Sequence, residues 1–351
     1  SNINTAVRNA QQLGYHVLAA INTDFFSTST GVPLGIVIED GIYKADPAAE
    51  DAMVIIDGLV SLVEDPEVTL TLTNQRTDEV VTPFFFNRTR TESGGLYLLN
   101  HDFSTVSTRT STAGWYVRMK LVDGTEQTDP EEETGGSQDL PQDLPQDLPQ
   151  DLPGDEEESD SSEQEEREEQ EADSGEEEES ASSQELTVNS TLTLEVVELL
   201  QSDQATTIGE DEYILTASDA SGYIEVFQSF QVGDRITLTT SCEDETLSQA
   251  QWAGGVGDII VRDGAVTDSS GWDYVNNGRA PRTALGVRSD GTLVLYAVDG
   301  RQSGYSMGLS EMDLAEEMLE RGCEWAVNLD GGGSTAISVW LPGKEGPQVL
   351  N

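Results

Sequence analysis

The sequence predicts an α+β fold: a mixed, mostly antiparallel β-sheet core with a few packed helices and one disordered acidic insertion. Three observations carry this. Short runs with period-two alternation, bounded by turn residues, recur along most of the chain. Only two stretches keep helical spacing. One internal segment, 127–184, has a composition that cannot build a core.

Taken in order, Thr5 to Leu13 reads as a helix that Gly14 ends. Strand-like runs follow at Val68–Leu72, Val80-Val81, Phe84–Phe86, Leu96–Leu99 and Trp115–Val122. In 127–184, Gln-Asp-Leu-Pro repeats four times between Gln138 and Pro153, and a Glu/Asp/Ser run continues to about Gln184. With 24 acidic residues and one arginine this segment repels itself, and its periodic proline favours an extended chain. It reads as a solvated insert, with a calcium-binding tract as the functional alternative. Strand patterns resume at Leu192–Val197, Tyr213–Leu215, Arg235–Leu238 and Asp258–Val261. A second helix is expected from Ser310 to Arg321. Ser310 and Asp313 form an acidic capping box, Leu309 and Leu314 a hydrophobic staple, and Gly322 the C′ residue. Met312, Ala315, Leu319 and Cys323 are the expected core face. Glu324–Val327 and Ala336–Trp340 read as strands around a glycine-rich turn.

Acidic residues outnumber basic ones 67 to 17, for a formal charge of −50. This argues against nucleic acid, which demands a basic footprint, and against an anionic membrane surface. No stretch has the length of a transmembrane helix, so no membrane insertion is expected. Two histidines and two separated cysteines disfavour a zinc site. No cofactor is implied, although a structural calcium held by loop carboxylates is compatible with the composition. Cys242 and Cys323 fit either two free thiols or one disulfide. Nothing in the sequence sets an oligomeric state. The chain opens inside a helix-like segment with no signal segment, as a trimmed fragment would.

The chemistry concentrates near the end of the chain. In Asn328-Leu329-Asp330-Gly331-Gly332-Gly333-Ser334-Thr335 an acid ends a strand beside a loop whose bare backbone admits close approach. Upstream lie Arg279-Ala280-Pro281-Arg282-Thr283-Ala284-Leu285-Gly286 and Val298-Asp299-Gly300-Arg301, then Ser303-Gly304-Tyr305-Ser306-Met307-Gly308, and, far earlier, Ala20-Ile21-Asn22-Thr23-Asp24-Phe25-Phe26. In this order the segments resemble the phosphodiester glycosidase family, whose pattern runs N-G-x-F-F, R-T-A-x-G, V-D-G-R, a helix, then N-L-D-G-G-G-S. Thr23 stands where the family has glycine, and Asp24 at a position that is uncharged there. The resemblance spans most of 1–126 and 185–351. It implies one discontinuous domain interrupted in a surface loop, which loop entropy tolerates. It also implies a pattern that continues past Gln348-Val349-Leu350-Asn351 into another strand and an arginine.

The resemblance implies a hydrolase that cuts the glycosidic bond of a sugar-1-phosphodiester, releasing free sugar and a phosphomonoester, in a secreted or cell-surface bacterial protein. The substrate would be a glycosyl phosphodiester or a cell-surface polysaccharide. Such a site needs cationic or N–H groups for phosphate, a carboxylate for water or the anomeric centre, and polar clamps for sugar. Asp330 is the first candidate for base or nucleophile, although an Asp before glycines also makes a plain turn. Asp299 is the second carboxylate, although Asp-Gly is equally a hairpin signal. Arg282 and Arg301 are candidate phosphate clamps, because guanidinium presents a planar fork to phosphate oxygens. Gly331, Gly332 and Gly333 are candidate N–H donors, and Asn22, Asn328, Ser306 and Ser334 candidate substrate contacts. Asp24 is not counted among them. Ser334 is no serine nucleophile, since neither His16 nor His101 lies in a triad context. Two alternatives stand beside this reading. One is an inactive carbohydrate- or envelope-binding module on the same fold. The other is a hydrolase of exopolysaccharide or teichoic-type phosphodiesters that attacks at phosphorus.

Overall fold

In the Arg235–Ser241 strand, Ile236, Leu238 and Thr240 are buried while their neighbours are partly exposed or exposed. Thr69–Asn74 beside it buries Leu70, Leu72 and Asn74. This alternation lays one apolar face on a core and leaves the other toward solvent. The computed structural model describes residues 3–46, 51–91, 94–104, 106–110, 112–122, 185–273 and 278–351. The expected disorder of 127–184 lies outside the described residues.

The two strands belong to an eight-stranded sheet. Its order is Val80–Val81, Thr69–Asn74, Arg235–Ser241, Thr191–Ser202, Gly114–Leu121, Glu212–Ser218, Tyr97–Asn100 and Phe85–Phe86. Every pairing is antiparallel except the last, Phe85–Phe86 with Tyr97–Asn100. A five-stranded sheet holds Ile42–Ala45, Val37–Glu39, Trp252–Val256, Asp51–Ile56 and Leu59–Val63. Ile38, Tyr43, Ala52 and Val54 of this sheet join Leu72, Leu194, Ile236 and Leu215 of the larger one in the principal core. The fold is thus α+β, with antiparallel sheet dominant and few helices.

A second five-stranded sheet positions the site. Its order is Ala265–Val266, Ile259–Arg262, Cys323–Leu329, Arg282–Arg288 and Leu293–Val298. The helix Glu311–Glu320 covers one face, where Leu314, Ala315 and Met318 pack on Ile260, Ala284, Cys323 and Ala326. Ser310 caps this helix in a full capping box with Asp313. The buried face is turned by one residue from the expected one: Glu311, Leu314, Ala315 and Met318 are buried, while Met312 and Leu319 are only partly so. Glu311 lies inside, with its carboxyl near Asp258 and Arg282. On the sheet's other face Leu285, Val287, Val327 and Leu329 pack with Val256 and Met53.

The first helix runs Ile3–Gln12, close to its expected span. Near it a three-stranded sheet pairs Ala19–Ile21 with Ile337–Trp340, and that strand with Pro347–Val349. Cys242 and Cys323 are free thiols, which settles the disulfide alternative. No helix among the described residues is long and apolar enough to cross a membrane.

The segment 123–184 joins two strands that neighbour each other. Leu121 pairs with Leu194, and the Val122 N–H bonds the Thr193 carbonyl at 2.9 Å. Replacing 127–184 with a flexible twelve-residue linker should therefore leave the fold intact. Loop closure changes by only about 0.6 kcal/mol per twofold change in length, so a stability gain of about 1 kcal/mol is expected in urea denaturation. A loss of more than about 2 kcal/mol would mean that the segment contributes packing.

Candidate active site

Sheet register gathers the candidate groups at one edge. Thr283 pairs with Leu329, so Arg282, the first residue of its strand, lies level with Asp330. Arg282 also pairs with Val298, so Asp299, Gly300 and Arg301 leave their strand at the same edge. The antiparallel order makes this convergence, because one strand begins where its two neighbours end.

Asn22 ties the N-terminal segment to this edge. Its Nδ2 donates to the Asp330 carbonyl at 2.5 Å across 308 residues of chain. Its Oδ1 accepts from the Thr283 hydroxyl at 3.1 Å and from the Ala336 N–H at 2.9 Å. The Asp330 N–H in turn donates to the Thr23 carbonyl at 2.9 Å. Both main-chain polar groups of Asp330 are therefore held by residues 22 and 23.

Asp330 borders two cavities. The larger, about 710 Å³, is lined by Asn22, Asp24, Phe26, Asp330, Gly333 and Ser334, among others. The smaller, about 320 Å³, is lined by Arg282, Arg301, Asn328, Asp330, Gly331 and Gly332, with Pro281 and Phe25 nearby. Gly331 is required by close approach: a Cβ there would lie 2.9 Å from the Pro281 carbonyl oxygen.

The two arginines differ in how they are held. Arg282 is only 5% exposed. Its Nε donates to the Leu309 carbonyl at 3.2 Å and its Nη2 to the Gly278 carbonyl at 3.0 Å, which fixes the guanidinium without neutralising it. Burial lowers its pKa, Glu311 counters this, and the neighbouring Arg301 adds to the lowering. Arg301 is exposed, and its backbone takes a left-handed φ of 58°. Its side chain has no hydrogen bond or ion pair among the described residues, and a Cβ on Gly332 would lie 3.5 Å from its Nη2. Asn328 is 1% exposed, and its buried Oδ1 has no hydrogen-bond partner among the described residues. Two like charges around one cavity form a site suited to an anion.

The acids are tuned by burial. Burial raises the Asp330 pKa, while a hydrogen bond from Ser334 and the Gly331 N–H pull the other way. Asp24 is pushed up to about 6, first by burial and in small part by the charge of Asp330. The Gly35 N–H, Arg88 and the Phe25 N–H oppose that rise. Glu311 is pushed up to about 8 by burial, then by the charge of Asp258 and a hydrogen bond with it.

Most of the sequence candidates meet here, and some do not. Asp330, Arg282, Arg301, Asn328, Gly331 and Gly332 share the smaller cavity, and Asn22, Gly333 and Ser334 join Asp330 at the larger. Asp299 and Ser306 line neither. Asp299 Oδ2 accepts from the Tyr305 hydroxyl at 3.1 Å, while the Ser306 hydroxyl donates to the Asp299 carbonyl and accepts the Gly308 N–H. The glycine N–H groups are partly engaged: Gly332 donates to the Pro281 carbonyl at 2.8 Å and Gly331 to the Asp330 carboxylate. Arg279 pairs with Asp313 at 2.8 Å and lines neither cavity. Asp24 is the residue that sequence reasoning passed over. Its signal was its place two residues after Asn22, in the segment that pairs with Asp330. Among the described residues no cluster of three or more His, Cys, Asp or Glu is arranged to hold a metal.

Residues 188–350 match the sequence model of the phosphodiester glycosidase family. The prophage-derived protein YomE of Bacillus subtilis (strain 168) is 49% identical over 63 residues, which is 18% of this chain and 10% of that protein. A solved structure of a hypothetical protein from Synechocystis aligns with a TM-score of 0.62 at 17% identity, over 98% of this chain and 50% of that one. A candidate exported protein from Burkholderia pseudomallei K96243 aligns with a TM-score of 0.57 at 17% identity, over 94% and 62% respectively. The two solved structures share the fold, and this chain spans only part of the length of each of these relatives.

Replacing Asn22 with Ala leaves the Asp330 carbonyl and the Ala336 N–H without their partners. The expected cost is about 1–3 kcal/mol in chemical denaturation. A variant as stable as the wild type would mean that Asn22 does not hold the edge together.

Proposed function

With residues 188–350 a phosphodiester glycosidase segment, we propose that this protein hydrolyses the glycosidic bond of a sugar-1-phosphodiester, yielding free sugar and a phosphomonoester. The observation that carries this is Asp330 standing between an arginine-lined cavity and a larger one that it shares with Asn22, Asp24 and Ser334. The phosphate occupies the smaller cavity, against Arg282, Arg301 and Asn328. The sugar occupies the larger, whose volume falls in the range of small-ligand sites, about 300–1,000 Å³. The anomeric carbon then lies at the boundary, beside the Asp330 carboxylate.

The chemistry follows from this placement. The bond from the anomeric carbon to the bridging oxygen breaks, and its electron pair goes to the phosphate. Among the described residues, Arg282 gives two of its five N–H donors, to Leu309 and Gly278, and the Arg301 guanidinium has no hydrogen-bond or ion-pair partner. Preorganised cations of this kind favour the charge that develops on the leaving group. The Asp330 carboxylate faces the positive charge that develops on the sugar ring, as carboxylates do in oxocarbenium-like transition states. Because a phosphate ester leaves readily, no strong acid is required on that side. A location outside the cytoplasm accords with the acidic tract 127–184 and with the exported character suggested for the Burkholderia fold relative.

Release of reducing sugar from a panel of hexose- and N-acetylhexosamine-1-phosphodiesters tests the reading. Asp330→Asn should lower kcat by about a hundredfold or more, and Arg301→Ala should lower kcat/KM by a comparable factor. Folded wild-type protein that releases no sugar across the panel would contradict it, as would an Asp330→Asn variant of undiminished rate. Ligand binding without turnover would favour a binding module instead.

A further inference from the structure

The reaction needs a group to take the proton of the attacking water, and Asp330 is occupied in facing the charge on the sugar. We propose that Asp24 is this group, a general base on the wall of the larger cavity that activates the water for attack on the anomeric carbon. This inference rests on the reading of the preceding subsection.

Geometry carries it. The Thr23 carbonyl accepts the Asp330 N–H at 2.9 Å, and Asn22 donates to the Asp330 carbonyl, so residues 22–24 run alongside Asp330. Asp24 and Asp330 both line the one cavity. The Asp24 side chain lies where the backbones of Gly35 and Gly255 approach each other: a Cβ on Gly255 would lie 2.5 Å from Gly35 Cα and 2.6 Å from Asp24 Oδ1. The Gly35 N–H donates to both carboxylate oxygens, at 3.0 and 3.3 Å, which fixes the orientation of the group.

The electrostatics suit the role. Asp24 is raised to about 6, so it is ionised at neutral pH and yet basic enough to accept a proton. The charged groups that face it are Asp330, which raises its pKa, and Arg88, which lowers it. Arg88 is itself tied to Asp46 at 2.9 Å and to the Leu34 and Gly35 carbonyls, so it remains a fixed neighbour. In the step, the water oxygen bonds to the anomeric carbon and the bond to the phosphate oxygen breaks with its electrons. The water proton passes to Asp24, which later returns it to solvent.

The test compares wild type, Asp24→Asn and Asp24→Ala on a sugar-1-phosphodiester that the wild type cleaves. Asp24→Asn keeps an acceptor for the Gly35 N–H, so it separates proton transfer from structural support. It should lower kcat by about 10²–10⁴-fold with KM little changed. In the wild type kcat/KM should fall as pH drops below about 6, and this limb should vanish in Asp24→Asn. Formate should restore part of the rate of Asp24→Ala. An Asp24→Asn variant that retains kcat within a few fold, or that keeps the acidic limb, overturns the assignment while the glycosidase reading stands. A wild type that cleaves no such diester overturns the reading and, with it, this role for Asp24.

Discussion

The carboxamide of Asn22 joins three parts of the chain at one point. It donates to the Asp330 carbonyl and accepts from Thr283 and Ala336, so the N-terminal segment, the Arg282 strand and the turn after Asp330 share one set of hydrogen bonds. A short amide side chain can do this only if all three backbones lie within hydrogen-bond reach of it. The position of the Asp330 carboxylate follows, because the main-chain groups on both sides of it are held. So does the pairing of Asp24 with Asp330, since Asp24 is carried on the same segment. Without this tie the two cavities would have no common wall.

In a chain of formal charge −50, a cavity lined by two arginines is a local reversal of sign. Its maintenance is structural. Arg282 is buried and hydrogen-bonded to carbonyls, which take up its donors without cancelling its charge, and Arg301 meets no carboxylate among the described residues. The buried Glu311 lies beside Arg282, but with its pKa raised to about 8 it is largely protonated at neutral pH and leaves the guanidinium charge standing. An anion entering the cavity therefore meets two guanidinium groups, one of them already oriented by its hydrogen bonds.

Much of this edge was legible in the sequence, because local chemistry sets it. The capping box at Ser310 and Asp313 fixes the start of the helix, and the strand that runs into Asp330 follows from the alternation before the three glycines. Arg282 could be singled out by type and by its place ahead of a strand. What could not be read depends on register between distant segments. Asp-Gly-Arg at 299–301 looks alike in sequence whether Asp299 faces a cavity or a hairpin hydroxyl; in the fold its Oδ2 accepts from the Tyr305 hydroxyl. Asp24 shows its place only once Gly35, Gly255 and Asp330 are brought around it. Glu311 looks like an exposed acid in the first turn of a helix, and its burial near Asp258 and Arg282 appears only in the folded chain.

The account makes the anomeric carbon, not phosphorus, the centre of attack. Hydrolysis of a sugar-1-phosphodiester in ¹⁸O-labelled water measures this directly, by mass spectrometry of both products at a time short enough to avoid exchange at the free sugar. The account predicts the label in the anomeric hydroxyl of the sugar and none in the phosphomonoester. Label in the phosphate would place the attack in the arginine-lined cavity and contradict the assignment of the sugar to the other side of Asp330.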